Sequence, residues 1–406
     1  MHRPLPPWLT RGVRGIGLAS LLSDFGHEIP TALLPSLLTS VLGAPAAALG
    51  LIEGVADAMS GVAKIAGGAL ADDPARRRSI AVGGYTFTAI LSALIGVAGA
   101  VWQVAILRTG AWVARGVRGP ARNALLADAV EPSQFGRAYG FERSMDNAGA
   151  VGGPIIAILL VSLVGIRGAI LLSVIPGLLA VLAIVYAVRH LAKPTRREHA
   201  PVRLVVRPLL RGPLGRLLIG ISLFEAGNMA ATLLILRASE LFTPERGPDG
   251  AAQLAIALYV AYNVAATLAS LPGGHLGDRF GMVRVLGLGF ALFAAAYATF
   301  GLAGPEPLVL GLAFVAAGVA IGAVETAEHA AVAGLASPDV RGSAFGLLAA
   351  IQSVGNLIAS GVAGIVWTLV GPAAAFGLAT LAMVAALAGL IAARWRGGLD
   401  ASAVSQ

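Results

Sequence analysis

Acidic residues recur in this chain at a spacing of four: Asp24 with Glu28, Glu53 with Asp57, and Glu142 with Asp146. Four residues is just over one helical turn, so each pair shares a helix face. Arg108 and Arg115 stand seven apart, and Arg118 and Arg122 follow them. Carboxylates and guanidiniums in apolar surroundings can pair, bind a charged solute, or take up and release protons. The second half of the chain offers fewer such groups: Glu225 and Asn228, Asn263, Gln352 and Asn356, and the run Glu325, Glu328, His329. Its poverty predicts that proton or ion coupling sits in the first half, with the second supplying apolar and amide contacts. Enzyme chemistry has no comparable support. There is no His-Glu-x-x-His, no Gly-x-Ser-x-Gly, no clustered metal-ligand motif, no Gly-x-x-x-x-Gly-Lys-Ser/Thr loop and no cysteine. No cofactor and no metal are therefore expected.

The elements that position these residues are apolar. Of 406 residues, 57% are hydrophobic and only 12% charged, about half the charge density of a soluble domain. A helix needs about 20 mostly apolar residues to cross a bilayer. Twelve such segments are predicted, at 15–40, 46–71, 79–99, 101–124, 134–164, 167–190, 213–240, 251–276, 283–303, 306–333, 341–369 and 371–394. The stretch "LAKPTRREHAPVRLVVRPLLRG", rich in Arg and Pro, reads as a linker. The predicted organisation is a first six-helix bundle at 1–190, a cytoplasmic linker at 191–212 and a second six-helix bundle at 213–406.

Charge placement sets the orientation. With both termini cytoplasmic, most of the 29 Lys and Arg fall on the cytoplasmic side, among them Arg3, Arg11, Arg14, Arg76 to Arg78 and the cluster from Arg189 to Arg216. Arg167, Arg237 and Arg246 are the ones left in outside loops. This is the positive-inside asymmetry, and it requires an even number of spans. It also accounts for the net charge of +8 by attraction to anionic lipid, leaving no call for nucleic acid. The basic N-terminus reads as a retained lead-in and not as a cleaved signal. The Arg-, Ala- and Gly-rich composition points to a GC-rich bacterium and its inner membrane. Trp102, Trp112 and Trp395 read as interface anchors or packing residues.

One offset, 206 residues, recurs along the chain. Gly68 and Asp72 map onto Gly274 and Asp278, Pro132 onto Pro338, Gly140 onto Gly346, and Gly149 onto Gly355. Two six-helix halves in the same orientation form a transporter architecture, with the site near the midplane. At 1.5 Å per residue, Asp146 lies about 18 Å from its helix entry and Arg115 about 21 Å from the opposite one, which predicts an Arg115–Asp146 pair. Glu142 and Arg143 fall nearer the cytoplasmic interface.

Three stretches resemble the major facilitator superfamily. "GGHLGDRFGMVR" matches its signature loop through Gly274, Asp278, Arg279, Gly281 and Arg284; the first copy, "GGALADDPARRR", keeps Gly68 and Asp72 but has Asp73 and Ala75 where the basic residue and glycine belong. "GFERSMDNAGAVGGP" resembles the fifth-helix pattern of that family's antiporters through Gly140, Gly149, Gly153 and Pro154, with Ala157 replacing a later glycine. "LRTGAWVARGVRGPAR" resembles its Arg-bearing fourth helix at Arg108. The resemblance implies gating loops at Gly68, Asp72, Gly274, Asp278 and Arg279, and proton-coupled efflux.

Together these readings predict a monomeric secondary transporter that exchanges protons for a small-molecule substrate. Its expected pathway and coupling residues are Asp24, Glu28, Glu53, Asp57, Arg108, Arg115, Asp146, Asn147, Glu225, Asn228, Asn263 and Gln352. Gly140, Gly149, Gly153 and Pro154 would pack and kink the fifth helix. The rival readings are uptake of an anionic solute on the helix-four arginines, and a membrane-embedded enzyme or sensor.

Overall fold

The computed structural model describes residues 6–192 and 206–395; the middle of the expected linker and the outermost termini, with Arg3, lie outside them. The regular structure of the described residues is helical: α1 (Arg11–Ser36), α2 (Ala46–Ala71), α3 (Pro74–Leu94), α4 (Val101–Ala127), α5 (Phe135–Leu172), α6 (Val174–His190), α7 (Gly212–Glu225), α8 (Ala231–Phe280), α9 (Met282–Leu302), α10 (Pro307–Leu335), α11 (Arg341–Leu369) and α12 (Pro372–Trp395). This is the all-α, twelve-helix fold that the hydropathy pattern predicts. By length and composition, seven helical stretches of the described residues suffice to cross a membrane. One of them, Pro132–His190, holds both α5 and α6. The helices missing from this set include α4, with its four arginines, and α7, which is only 14 residues long.

Local chemistry moves several boundaries. Thr10 caps α1 by accepting from the Val13 amide at 3.2 Å, so the helix starts four residues before the predicted point. Asp73 caps α3 through the Ala75 amide at 2.9 Å, with Pro74 in the first turn. A capping carboxylate followed by proline is a strong helix start, and α3 begins five residues earlier than hydropathy alone implies. Asp278 falls within the last turn of α8 and not in a loop. Gly165, with φ 70°, separates the fifth and sixth spans, and its repeat mate Gly371, with φ 129°, precedes α12. Both conformations favour glycine, because a Cβ is strained there.

The largest departure is in the seventh span. A continuous helix over 213–240 is predicted, but the backbone leaves the helix after Glu225 and resumes at Ala231. Residues 226–230, "AGNMA", make tight turns: the Gly227 amide bonds to the Phe224 carbonyl at 2.9 Å and the Asn228 amide to the Glu225 carbonyl at 3.2 Å. The Ala230 amide donates to Ser360 Oγ at 2.9 Å, and Asn356 Nδ2 donates to the Asn228 carbonyl at 3.3 Å. Irregular backbone at membrane depth must find such partners, since lipid offers none.

The helices form two compact units. One comprises Met1–Gln134, Met145–Val206 and Ala336–Ala350; the other comprises Phe135–Ser144, Arg207–Leu335 and Ile351–Gln406. In the first, α2 and α3 pack on α4, and α1 and α3 on α6; in the second, α8 and α9 pack on α10, and α7 and α9 on α12. The packing scheme thus repeats with the sequence. The means differ in part. The first unit closes on small residues, such as Gly15 against Ala187 and Gly177 against Ala89, which let backbones approach without a hydrophobic drive. The second unit uses glycines too, Gly318 and Gly322 of α10 against the Tyr262 and Ala266 carbonyls of α8, and adds rings: Phe224 stacks on Phe290 at 4.6 Å, and Phe300 meets Phe314 edge-on at 5.0 Å.

Candidate functional site

In the first unit, α1 and α4 are joined by a ladder of side chains. Ser20, Ser23, Asp24 and Thr31 share one face of α1 by the three-and-four spacing of a helix. Facing them in reverse order stand Arg122, Arg118, Arg115 and Arg108. Arg122 Nη1 donates to Ser20 Oγ at 3.0 Å, and Arg118 Nη2 to Ser23 Oγ at 2.8 Å. Arg115 Nη2 donates to Asp24 Oδ2 at 3.0 Å while its Nη1 lies 2.9 Å from Oδ1, a two-point ion pair. Arg108 Nη1 donates to Thr31 Oγ1 at 3.1 Å, and its Nη2 pairs with Glu53 Oε1 at 3.0 Å.

The predicted Arg115–Asp146 pair does not form. Arg115 takes Asp24, and Asp146 lies 3.4 Å from Arg122 Nη1. The two arginines are seven residues apart, about 10 Å along α4. Asp146 nonetheless remains among the charges that act on Arg115, so counting depth from the apparent helix entries found the cluster and missed the direct partner. Glu142 is fully buried within the protein and accepts from Arg143 through two bonds, at 2.8 and 3.1 Å.

Trp112, expected as an interface anchor or a packing residue, packs within the polar cluster. Its ring lies 3.3 Å beneath the Arg108 guanidinium, its Nε1 donates to Asp57 Oδ1 at 2.7 Å, and it packs on His27 at 4.2 Å. The signal was its place four residues after Arg108, one turn along the same face. Arg118 caps the Tyr85 ring at 3.8 Å. Beside them, α1, α3 and α6 enclose a narrow polar pocket lined by Ser23, His27, Tyr85 and Ser92, where His27 Nδ1, Tyr85 Oη and Ser92 Oγ have no protein partner.

The glycines of α5 press on the same helix. A Cβ at Gly149 would lie 2.4 Å from the Leu21 carbonyl and 3.2 Å from Asp24 Cβ; one at Gly153 would lie 2.6 Å from Glu28 Cβ. The pair therefore seats α5 directly behind Asp24 and Glu28, and Pro154 follows inside the helix. Asn147 is half-buried, and its Nδ2 has no partner.

Both motif loops hold a helix start. Asp72 accepts from the Ser343 amide at 2.7 Å and from the Ser343 hydroxyl, at the N-terminus of α11. Asp278 accepts from the Gly136 amide at 2.7 Å and the Arg137 amide at 3.1 Å, at the N-terminus of α5. Ser343 and Arg137 are themselves 206 residues apart, so the latch repeats in register. Glycines permit both approaches: a Cβ at Gly68 would meet the Gly342 carbonyl at 2.7 Å, and one at Gly274 the Gly136 carbonyl at 1.9 Å. Gly140 and Gly346 fit as closely, against the Ser270 and Lys64 carbonyls. Burial pushes the Asp72 carboxyl up from the ordinary carboxylate range, and the Ser343 donors pull it back. In the first copy, Arg77 replaces the basic residue displaced by Asp73. It is buried, donating to the Ala71 carbonyl (2.7 Å), Asp128 (2.7 Å) and the Pro338 carbonyl (2.8 Å). Arg279 in the second copy only approaches the Phe280 ring, at 5.1 Å.

The second unit gathers its polar groups around the α7 break. Asn228 Nδ2 donates to Glu225 Oε2 at 3.1 Å. On α10, Glu328 accepts from Gln352 Nε2 of α11 at 2.8 Å. Glu328 is not among the expected pathway residues, although it is the repeat mate of Arg122. Asn263 does not join the group: its amide returns to the Tyr259 carbonyl of its own helix at 3.0 Å. Among the described residues, no group of three or more His, Asp or Glu stands in a metal-holding arrangement.

Comparison with known proteins accords with this geometry. The model of the Major Facilitator Superfamily matches residues 16–243 and again 234–403. An uncharacterized MFS-type transporter of Methanocaldococcus jannaschii is 26% identical over 365 residues, 89% of each chain. An uncharacterized protein of Mycobacterium tuberculosis (strain H37Rv) is 31% identical over 194 residues, 47% of each chain. The crystal structure of a bacterial homologue of the iron transporter ferroportin in an outward-facing state shares the fold, with a TM-score of 0.75 at 17% identity over 96% of this chain and all of that one. That of the human organic anion transporter MFSD10 (TETRAN) does so with a TM-score of 0.69 at 18% identity, over 95% of this chain and all of that one.

Proposed function

This chain belongs to the Major Facilitator Superfamily of membrane transporters, and on that premise we propose that it is a proton-coupled exporter of a small molecule, working by alternating access. The observation that carries the reading is the repeated latch. Asp72 and Asp278 each hold the start of a helix from the other sequence half, at positions related by the same 206-residue offset. A carboxylate on helix-start amides is a contact of moderate strength, formed without covalent change. Two such contacts, made in one state and broken in the next, suit a carrier that alternates. Both latches then belong to the cytoplasmic side of a bacterial inner membrane, with both termini cytoplasmic and the carrier a monomer.

Export is supported by the α5 glycine spacing, which seats that helix behind Asp24 and Glu28. The uptake reading requires arginines free to bind an anion. Arg108 and Arg115 are instead engaged by Glu53 and Asp24, which weighs against it.

Inverted vesicles carrying the protein, given a panel of labelled cationic, neutral and anionic solutes in the external medium, test the proposal. Accumulation of one class that collapses when the pH gradient is dissipated is the expected result. Accumulation indifferent to the gradient, or movement only in right-side-out vesicles, would overturn proton-coupled export.

A further inference from the structure

In the first unit, α4 arginines hold carboxylates of the neighbouring helices: Asp24 with Arg115, Glu53 with Arg108 and Asp146 with Arg122. The second unit is different at an equivalent place. The repeat carries Arg122 onto Glu328 and Asp146 onto Gln352, and both pairs are in contact. Where the first unit has a cation and a carboxylate, the second has a carboxylate and a neutral amide. Glu328 is fully buried, and its Oε1 has no hydrogen-bond donor.

Glu225 is its neighbour along α11. Gln352, which holds Glu328, is one turn from Gly355, whose missing Cβ would lie 2.4 Å from Glu225 Cβ. Glu225 is buried as well, and its side-chain donor is the amide of Asn228, in the α7 break. Among the described residues, the other titratable groups that act on the two are Glu325 on α10, Tyr262 on α8 and Tyr297 on α9; His329 follows Glu328 on α10 and lies 6.0 Å from the Tyr139 ring of α5. None is a permanent cation. Arg143, also in this unit, is bound by Glu142. A buried carboxyl without a countercharge is costly when ionised and cheap when neutral.

We propose that the coupling proton is carried in the second unit, on Glu328 with Glu225 as its companion, and not on the arginine-paired carboxylates of α1, α2 and α5. This rests on the proton-coupled reading above and locates its coupling site. Loading forms one O–H bond at Glu328 Oε1 with a proton from one aqueous side. Release breaks that bond to the other side, and the site passes between charges of zero and minus one with no redox change. The broken α7 gives Glu225 and Asn228 a backbone that can rearrange as the site changes charge.

Infrared difference spectra of the lipid-reconstituted protein, recorded between acidic and alkaline buffer, test the site, with the pH step itself as the probe. The carbonyl-stretch band of a protonated carboxyl should appear in the wild type. It should be lost in Glu328→Gln, shifted in Glu225→Gln, and kept in Asp24→Asn and Asp146→Asn. Glu328→Asp, which keeps an acid, should move the band without removing it, and it serves if the Gln variant fails to fold. A band untouched by Glu328→Gln, or unmoved in Glu328→Asp, or one abolished by Asp24→Asn or Asp146→Asn, overturns the proposal. Vesicle transport separates the two readings. Proton-driven solute movement with a band indifferent to Glu328 rejects the site alone; a Glu328 band with no solute movement rejects the transport reading alone.

Discussion

Replacing Asp278 by Asn should unlatch α5 from α8. Asn keeps the size of the side chain and one acceptor, but removes the charge and places an NH2 group against a helix-start amide. The lost contacts are one of the two bonds, at 2.7 or 3.1 Å, and the approach of Arg137 Nε at 3.3 Å. A hydrogen bond to a charged group contributes about 1.5–3 kcal/mol, and the helix-terminus charge term about 0.3–1 kcal/mol. With the surviving bond retained, a net loss of about 2 kcal/mol follows, roughly a 30-fold shift between latched and unlatched forms. The chain has no cysteine, so a single reporter is clean. Ser144 of α5 is half-buried, and its hydroxyl donates to the Thr267 carbonyl of α8 at 2.7 Å. A Ser144→Cys thiol should therefore react with maleimide far faster once α5 leaves α8. The labelling rate should rise roughly 30-fold in the Asp278→Asn background, in line with the population shift. A change below about twofold, against that expected shift, would refute the latch reasoning.

Arg115→Ala should strand the Asp24 carboxylate and lower stability by about 3 kcal/mol, seen as reduced thermal unfolding temperature in detergent; adding Asp24→Asn should recover part of the loss. Arg122→Ala should be rescued in the same way by Asp146→Asn and not by Asp24→Asn, which checks the register of the ladder. Gly153→Ala should cost about 1–3 kcal/mol by overpacking against Glu28, whereas Gly361→Ala, with open space around its Cβ, should leave the unfolding temperature unchanged. Trp112→Phe should keep the ring beneath Arg108 but lose the Asp57 bond, at a cost of about 1 kcal/mol in the same measurement.

The helices and the repeat were legible because both are written in residue type: long apolar runs, and glycines and aspartates returning at one offset. The partners within the ladder were not. Arg108, Arg115, Arg118 and Arg122 all face α1, and which acid each one meets depends on the axial register of α1 and α5 against α4, a quantity that no single helix carries. The α7 break escaped for another reason. "AGNMA" contains no proline and only one glycine, so local propensity permits a helix there; the break is held by Ser360 and Asn356, more than a hundred residues away. Glu328 falls near the expected cytoplasmic end of its helix, where a carboxylate reads as an ordinary terminal charge. Its importance appears only beside its repeat mate Arg122.

The α1–α4 ladder also bears on how the chain enters the bilayer. Four arginines on one helix carry an insertion penalty of up to roughly 10–14 kcal/mol at 2.5–3.5 kcal/mol each, and α4 is not among the stretches apolar enough to cross unaided. Arg115 and Arg108 are neutralised by Asp24 and Glu53, on helices synthesised earlier, with Thr31 as a further partner of Arg108; Arg118 and Arg122 are solvated by Ser23 and Ser20. An α4 emerging alone would stall at the interface; one emerging beside α1 and α2 finds its counterions already waiting. The same rungs that build the polar core thus fix an order of biogenesis, in which the acidic helices go first and act as an internal chaperone for the basic one.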